Sequence, residues 1–297
     1  MTLRFSKMHG LGNDFMVIDG LTQRVDLAPE KIAELADRRT GIGFDQLLVV
    51  APPDEPDADF YYRIFNADGT PAEQCGNGAR CVALFVRKHQ LASRETLVWQ
   101  TTNGRIETRC LKDGVEVDMG PPSTAAERVP FDAPINANGL VEVQVCGQSL
   151  ALQPVSMGNP HGVLFVESVA DAAVEEVGAA LTSHAIFPEG ANIGFCEVVD
   201  RNFLRLRVFE RGVGETRACG SGACAAMVAA RMAGLVEERI KVSLPGGKVR
   251  IAWPGGDAPV KMEGPATLVY EGTLDIPGGR SDDKRRPRRR KPRKQRK

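Results

Sequence analysis

The feature that most constrains this chain is a unit that occurs twice. Cys75-Gly76-Asn77-Gly78-Ala79-Arg80-Cys81 leads into Val82-Ala83-Leu84-Phe85-Val86, and Cys219-Gly220-Ser221-Gly222-Ala223-Cys224 leads into Ala225-Ala226-Met227-Val228-Ala229-Ala230. The echo reaches upstream. Arg63-Ile64-Phe65-Asn66 matches Arg207-Val208-Phe209-Glu210, and ten residues separate Phe65 from Cys75 just as ten separate Phe209 from Cys219. Gly12-Asn13-Asp14-Phe15 before an apolar run matches Gly158-Asn159-Pro160-His161, and Gly41-Ile42-Gly43-Phe44 matches Asn192-Ile193-Gly194-Phe195. Two long copies are a duplication, not a solenoid, which needs three or more short units. The expected fold class is α+β, with two pseudo-symmetric domains facing each other and their helix N-termini meeting at the interface. Clefts between domains are preferred sites for small ligands.

The order of signals sets the boundaries. Strand, loop and strand are expected over 1–19. A helix is expected over 29–38, with Pro29 in its first turn and Ile32, Leu35 and Ala36 on one face. Short strands follow over 97–117, broken by the turn signals Asn103-Gly104 and Asp113-Gly114. Residues 118–122 read as a linker. The first domain is therefore 1–119, the second 120–264, and 265–277 returns a last strand to the first.

Net charge over the 297 residues is zero, but it is unevenly spread. Eleven of the 38 Lys and Arg fall in residues 284–297, which contain no Asp or Glu, leaving an acidic body with a balance of −11. Residues 278–297 are too polar to bury a core and read as a disordered basic tail. Its functional alternative is a weak contact of 284–297 with nucleic acid or an anionic surface. No apolar run is long enough to span a membrane, and the N-terminus lacks the apolar stretch of a secretory signal. The seven cysteines, an odd number, read as reduced thiols in a cytoplasmic protein. Their spacings, without a nearby histidine, make poor zinc ligands, so no metal site is expected.

A cysteine just before a helix lies among unpaired backbone N–H groups at the positive end of the macrodipole. That placement favours thiolate and is expected to lower the thiol pKa below its free value of about 8.5. Glycines there let a small anion approach the N–H groups. The plain alternative is a buried structural cysteine in a tight turn; the repetition favours a matched reactive pair.

Together these motifs resemble the diaminopimelate epimerase family. The resemblance rests on Asn66-Ala67-Asp68-Gly69-Thr70 with Cys75 to Arg80 (Thr70 where the family usually has serine), and on Glu210-Arg211-Gly212-Val213-Gly214-Glu215-Thr216 with Ala218 to Cys224. His9 to Phe15, Gly158 to His161 and Pro188 to Asn192 also fit, so the likeness covers roughly residues 3–275. It implies a mixed sheet or barrel around a central helix in each domain. It further implies interconversion of LL- and meso-2,6-diaminopimelate for lysine and cell-wall synthesis, without pyridoxal phosphate or other cofactor. Cys75 and Cys219 would be the acid/base pair, one on each face of the inverted carbon, acting as a coupled couple. His161 and Glu210 would adjust their pKa values. Asn13, Gln46, Asn66, Gly76, Asn77, Asn159, Asn192, Glu210, Arg211, Gly220 and Ser221 would bind substrate, with Arg211 suited to the distal carboxylate and the N–H groups near Gly76-Asn77 and Gly220-Ser221 forming an oxyanion hole. Tyr270 would lie at a homodimer contact. From the residues alone, His161 is equally a turn residue and Glu210 equally an ion-pair partner of Arg211 or another neighbour.

Three other readings stay open at this level. A proline or hydroxyproline racemase of the same fold would use the same cysteines but would not need Arg211. A thiol–disulfide redox protein would use them differently, although the usual Cys-x-x-Cys is absent. A nucleic-acid binder would act through the tail.

Overall fold

The computed structural model describes residues 2–72 and 75–276. The expected basic tail lies outside the described residues. The first half runs β1 (Thr2–Gly10), β2 (Asn13–Asp19), α1 (Pro29–Ala36), β3 (Gln46–Ala51), β4 (Phe60–Asn66), β5 (Pro71–Ala72), α2 (Gly76–Lys88), β6 (Thr96–Thr101), β7 (Gly104–Cys110) and β8 (Val115–Asp118). The second runs β9 (Val141–Val145), β10 (Gln148–Ser156), β11 (Pro160–Phe165), α3 (Val174–Thr182), β12 (Asn192–Asp200), β13 (Phe203–Glu210), β14 (Gly214–Thr216), α4 (Gly220–Met232), β15 (Arg239–Leu244), β16 (Gly247–Ala252) and β17 (Lys261–Gly264). A last strand, β18 (Thr267–Asp275), pairs antiparallel with β1.

The duplication is visible strand by strand. β2 pairs parallel with β3, β3 antiparallel with β4, and β4 parallel with β6. In the second half β11 pairs parallel with β12, β12 antiparallel with β13, and β13 parallel with β15. β5 and β14 are short antiparallel additions at matching places. The halves join where β8 pairs with β17, so one mixed sheet runs through both.

The register corrects one of the expected equivalences. Leu47 faces Phe65 across β3–β4, and Ile193 faces Phe209 across β12–β13. Phe15 faces Gln46, and His161 faces Asn192. Asn192 is therefore the counterpart of Gln46, five residues along from the Gly41 that local similarity suggested. Residues 41–43 form a turn after α1, with Gly43 at φ +74°, whereas 192–194 are already strand. The same register makes Asn13 the mate of Asn159, Phe15 of His161, and Asn66 of Glu210.

The helices form because their sequences can be buried nearly all round. α2 buries every residue from Gly76 to Val86 except Leu84, and α4 every residue from Gly220 to Ala230 except Ser221. Alanine-rich α4 suits such enclosure, since alanine favours helix and occupies little space. Each helix is wrapped by the strands of its own half, and both belong to one apolar core that includes Phe85, Trp99, Leu204, Met227 and Met262. Fully burying one such large side chain contributes roughly 1.5–3 kcal/mol. Smaller clusters lie under α1 (Ile32, Leu35, Phe44) and α3 (Val177, Leu181, Phe195). α1 begins at Pro29 and buries Ile32, Leu35 and Ala36.

The stretch after β8 is not a free connector. Met119 N–H donates to Val260 O (2.9 Å) and Val260 N–H to Gly120 O (2.9 Å), so the backbone stays paired beside β17. The β1–β2 hairpin closes tightly through Leu11 (φ +59°) and Gly12 (φ +89°), which sets Asn13 at the first position of β2. The Leu11 carbonyl packs on Gly246 so closely that a Cβ there would lie 1.8 Å away, seating this turn on the second half. Among the described residues, no helix is long and apolar enough to cross a membrane.

Candidate active site

Both motif cysteines are helix caps. Cys75 precedes α2 in an extended conformation (φ −137°, ψ 109°), and Cys219 precedes α4 likewise (φ −108°, ψ 107°). Gly78 N–H donates to Cys75 Sγ (3.4 Å), and Cys219 Sγ lies 3.7 Å from Ser221 Oγ. Tyr62 Oη donates to the Cys75 carbonyl (3.3 Å), and a Cβ at Gly78 would strike that hydroxyl at 2.1 Å.

The two helix starts meet. Asn77 Nδ2 donates across the seam to the carbonyl of Ala218, the residue before Cys219 (3.0 Å). The Met262 methyl would lie 2.8 Å from a Cβ at Gly76 and 3.2 Å from one at Gly220, so one side chain touches the first residue of each helix. All seven cysteines are free thiols. Cys75 is partly open to solvent, whereas Cys219 is buried.

The expected lowering of the thiol pKa values is not what the surroundings produce. Burial raises both, Cys219 well above the ordinary thiol value, and the negative charge of Glu210 adds to the rise at each. N–H groups of the first helical turn pull the other way, from Asn77 and Gly78 on Cys75 and from Gly222 on Cys219, without overcoming it. Desolvation of an anion outweighs a helix end when the thiol is enclosed by two halves.

Around Cys75, the thiol donates to Asn13 Oδ1 (3.6 Å), which also accepts from Asn77 Nδ2 (3.2 Å). Asn13 Nδ2 donates to Asp45 Oδ2 (2.9 Å), and Arg38 holds Asp45 Oδ1 (2.6 Å). Arg38 also grips Asp14 with both guanidinium arms (2.7 and 3.0 Å), and Lys7 bonds the same carboxylate. Burial alone would raise the Asp14 pKa, but Arg38 and Lys7 bring it down to about 2. Gln46 Nε2 donates to Asn66 Oδ1 (3.1 Å), and Asn66 Nδ2 to Thr70 Oγ1 (3.1 Å), so these two amides form a pair of their own.

Around Cys219, Asn159 Nδ2 donates to Ser221 Oγ (3.4 Å), and Asn159 Oδ1 lies 3.0 Å from His161 Nε2. Because that oxygen can only accept, His161 carries its proton on Nε2. His161 Nδ1 is buried without a partner among the described residues. Burial, helped by the charge of Arg211, lowers the His161 pKa to about 3, so the ring is neutral at ordinary pH. Burial also raises the pKa of Glu210, whose carboxyl accepts from the Thr216 hydroxyl. Glu210 does not pair with Arg211. Arg211 N–H donates to Asn192 Oδ1 (2.9 Å) and its guanidinium to Glu189 O (2.6 Å), leaving the guanidinium exposed with no carboxylate partner among the described residues. Tyr270 lies elsewhere, exposed on β18 with its ring edge-on to Phe5 at 6.1 Å.

Four groups here were not singled out from sequence: Thr216 on Glu210, Asp45 behind Asn13, Met262 between the helix starts, and Arg80 behind Asn77. Thr216 and Arg80 lie inside the two cysteine motifs, which was their only signal.

Mirrored halves with a thiol at each of two adjoining helix starts define a racemase- or epimerase-type fold. The chain aligns with a crystal structure of a hydroxyproline epimerase from Agrobacterium vitis with a TM-score of 0.67 at 13% identity, covering 92% of each chain. It aligns with a probable proline racemase from Agrobacterium radiobacter K84 with a TM-score of 0.65 at 15% identity, covering 95% of this chain and 94% of that one. The family model for diaminopimelate epimerase matches residues 5–125 and 154–269. Diaminopimelate epimerases of Pseudomonas aeruginosa (strain LESB58) and Azotobacter vinelandii (strain DJ) are 53% and 54% identical over 277 residues, covering 93% of this chain and all of theirs. The chain belongs to the diaminopimelate epimerase family and is an isomerase.

Proposed function

We propose that this chain interconverts LL- and meso-2,6-diaminopimelate by a two-thiol mechanism needing no cofactor. The observation that carries the reading is the placement of Cys75 and Cys219 at two helix starts joined by the Asn77–Ala218 bond. One thiolate takes the α-proton from one face of the carbon, and the opposite thiol delivers its proton to the other face. One C–H bond breaks, one forms, and the two sulfurs exchange protonation states; the reverse reaction exchanges their roles. The raised thiol pKa values serve this step. An α-proton is a weak acid, and a thiolate whose conjugate acid is weaker is the stronger base. The cost is a smaller thiolate population, which Glu210 reduces further.

The carbanion needs stabilisation as it forms. Backbone N–H groups at Gly76-Asn77 and Gly220-Ser221 sit at the positive helix ends and suit the reacting carboxylate. The exposed Arg211 guanidinium takes the distal carboxylate by a bidentate contact. Asn13, Gln46, Asn66, Asn159 and Asn192 supply amides, and Glu210 a carboxylate, to the two ammonium groups. His161, neutral and held by Asn159, shapes the surroundings of Cys219. We assign residues 1–119 with 265–277 to one domain, and 120–264 to the other. The need for two free thiols places the enzyme in a reducing compartment. Exposed Val269 and Tyr270 on β18 form the contact of a homodimer, which sedimentation of a Tyr270→Ala variant tests; an unchanged dimer removes that role.

The deciding experiment incubates reduced protein with LL-diaminopimelate in deuterated water and follows Cα deuterium and the LL/meso ratio. Inversion with one solvent deuterium, lost in Cys75→Ala and in Cys219→Ala, is expected. Inertness toward diaminopimelate with turnover of proline or hydroxyproline overturns the substrate assignment, and inversion surviving either substitution overturns the two-thiol mechanism.

A further inference from the structure

Arg80 is fully buried in α2, and no carboxylate pairs with it among the described residues. A guanidinium in such a place requires its hydrogen bonds to be met by fixed partners. Its Nη2 donates to Asn77 Oδ1 (2.8 Å), its Nε to Pro265 O (3.2 Å), and its Nη1 to Met262 Sδ (3.6 Å). Two glycines make room for it. A Cβ at Gly10, at the end of β1, would lie 3.1 Å from Nη2, and one at Gly264, at the end of β17, 3.2 Å from Cζ. Arg80 thus stands where the chain crosses from the second half back to the first, held by the carbonyl of the crossing residue.

Asn77 is the next link. Its amide is fully committed: Oδ1 to Arg80, and Nδ2 to both Asn13 Oδ1 (3.2 Å) and Ala218 O (3.0 Å). Asn13 Oδ1 is the atom that Cys75 Sγ meets, and Ala218 directly precedes Cys219. With Oδ1 pinned by Arg80, the amide cannot flip, and Nδ2 must point across the seam.

We propose that Arg80 is a positioning residue which, through Asn77, fixes the two helix starts against each other and so sets the separation of Cys75 and Cys219 across the bound carbon. This rests on the two-thiol reading above. The positive charge of Arg80 also favours the thiolate of Cys75, in the same direction.

The test separates taking the α-proton, which one thiol does alone, from inversion, which needs both at the right distance. Wild type, Arg80→Lys, Arg80→Met and Asn77→Ala are each incubated with LL-diaminopimelate in deuterated water. Inversion is read as the LL/meso ratio, proton abstraction as deuterium in recovered, uninverted substrate, and folded fraction by thermal melting. A misplacement of about 1 Å costs on the order of a hundredfold in rate, so inversion should fall by about that factor in Arg80→Met. Deuterium in recovered substrate should fall much less, because the thiol that took the proton exchanges with solvent and returns deuterium to the same face. Mere destabilisation lowers both signals equally and leaves their ratio fixed. Asn77→Ala should shift the ratio as Arg80→Met does, and the double variant Arg80→Met/Asn77→Ala should go no further than either. An unchanged ratio in folded Arg80→Met, or additive effects in the double variant, overturns the proposal. Should Arg80→Met not fold, Arg80→Lys and Asn77→Ala decide by the same ratio. Wild-type protein that neither exchanges nor inverts would instead remove the two-thiol reading itself.

Discussion

Asn13 Oδ1 lies 3.6 Å from Cys75 Sγ and accepts a hydrogen bond from the thiol, while its amide nitrogen donates to Asp45. One side chain therefore joins a charged surface network, Arg38 with Asp45, to the Cys75 sulfur. Asn13→Ala removes the acceptor and leaves Asp45 Oδ2 and Asn77 Nδ2 each short of one partner. The expected loss in kcat/KM is about ten- to a hundredfold in both directions, and the loss in stability about 1–3 kcal/mol. Steady-state kinetics and thermal melting check the two separately. Asp45→Asn, which keeps an acceptor for Asn13, should retain most of the activity.

Glu210 faces both thiols, and its charge raises the pKa of each. Glu210→Gln removes that charge, so more of each cysteine is thiolate at a given pH. Alkylation by iodoacetamide at pH 8 should become faster, by about tenfold for each pKa unit recovered, even as turnover falls. Cys75 should react before Cys219 in both proteins, because Cys75 is partly open and Cys219 buried. Peptide mapping by mass reads the order. Slower alkylation in the variant would show that Glu210 acts on the thiols as a base instead of a charge.

His161 is held neutral, with its pKa lowered to about 3 by burial. The unfolded chain regains a histidine that titrates near 6.5 and binds the proton that the folded state refuses. Stability from this group is full above pH 6.5 and is lost as pH falls from there toward 3, at up to about 1.4 kcal/mol per pH unit. The mate of His161 in the first half is Phe15, which fits the same fold without a titrating ring. His161→Phe should therefore show a smaller fall in melting temperature from pH 7 to pH 4.5 than wild type. An identical fall in both proteins would mean that His161 takes up its proton without unfolding.

The duplication, the place of both cysteines at helix starts, and helix α1 were all legible in the sequence, because each depends on local pattern. Three things were not. The match of Asn192 with Gln46 depends on the register of a parallel strand pair, which local similarity does not encode and here misdirected toward Gly41. The thiol pKa values followed burial instead of the helix end, because enclosure comes from closing two halves that are distant in sequence. Arg80 sits in a motif quoted for its cysteine and glycines, yet an arginine at the fifth position of a helix ordinarily reaches solvent. Its burial depends on Gly10 and Gly264, which come to it from both ends of the chain.

Arg211 offers the sharpest separation of binding from chemistry. Its backbone is fixed by Asn192 and its guanidinium by the Glu189 carbonyl, yet no carboxylate neutralises it among the described residues. A charge-assisted bond to the distal carboxylate would be worth about 1.5–3 kcal/mol, which is roughly ten- to a hundredfold in affinity. Arg211→Lys keeps the charge but loses the fork, and Arg211→Ala loses both. KM for diaminopimelate should rise by that factor in Arg211→Ala and by less in Arg211→Lys. An amino acid lacking the distal carboxylate should undergo α-proton exchange equally slowly in wild type and both variants. Selective loss with diaminopimelate would locate the guanidinium at the end of the substrate that does not react. Equal loss with the truncated substrate would instead place Arg211 at the reacting carbon.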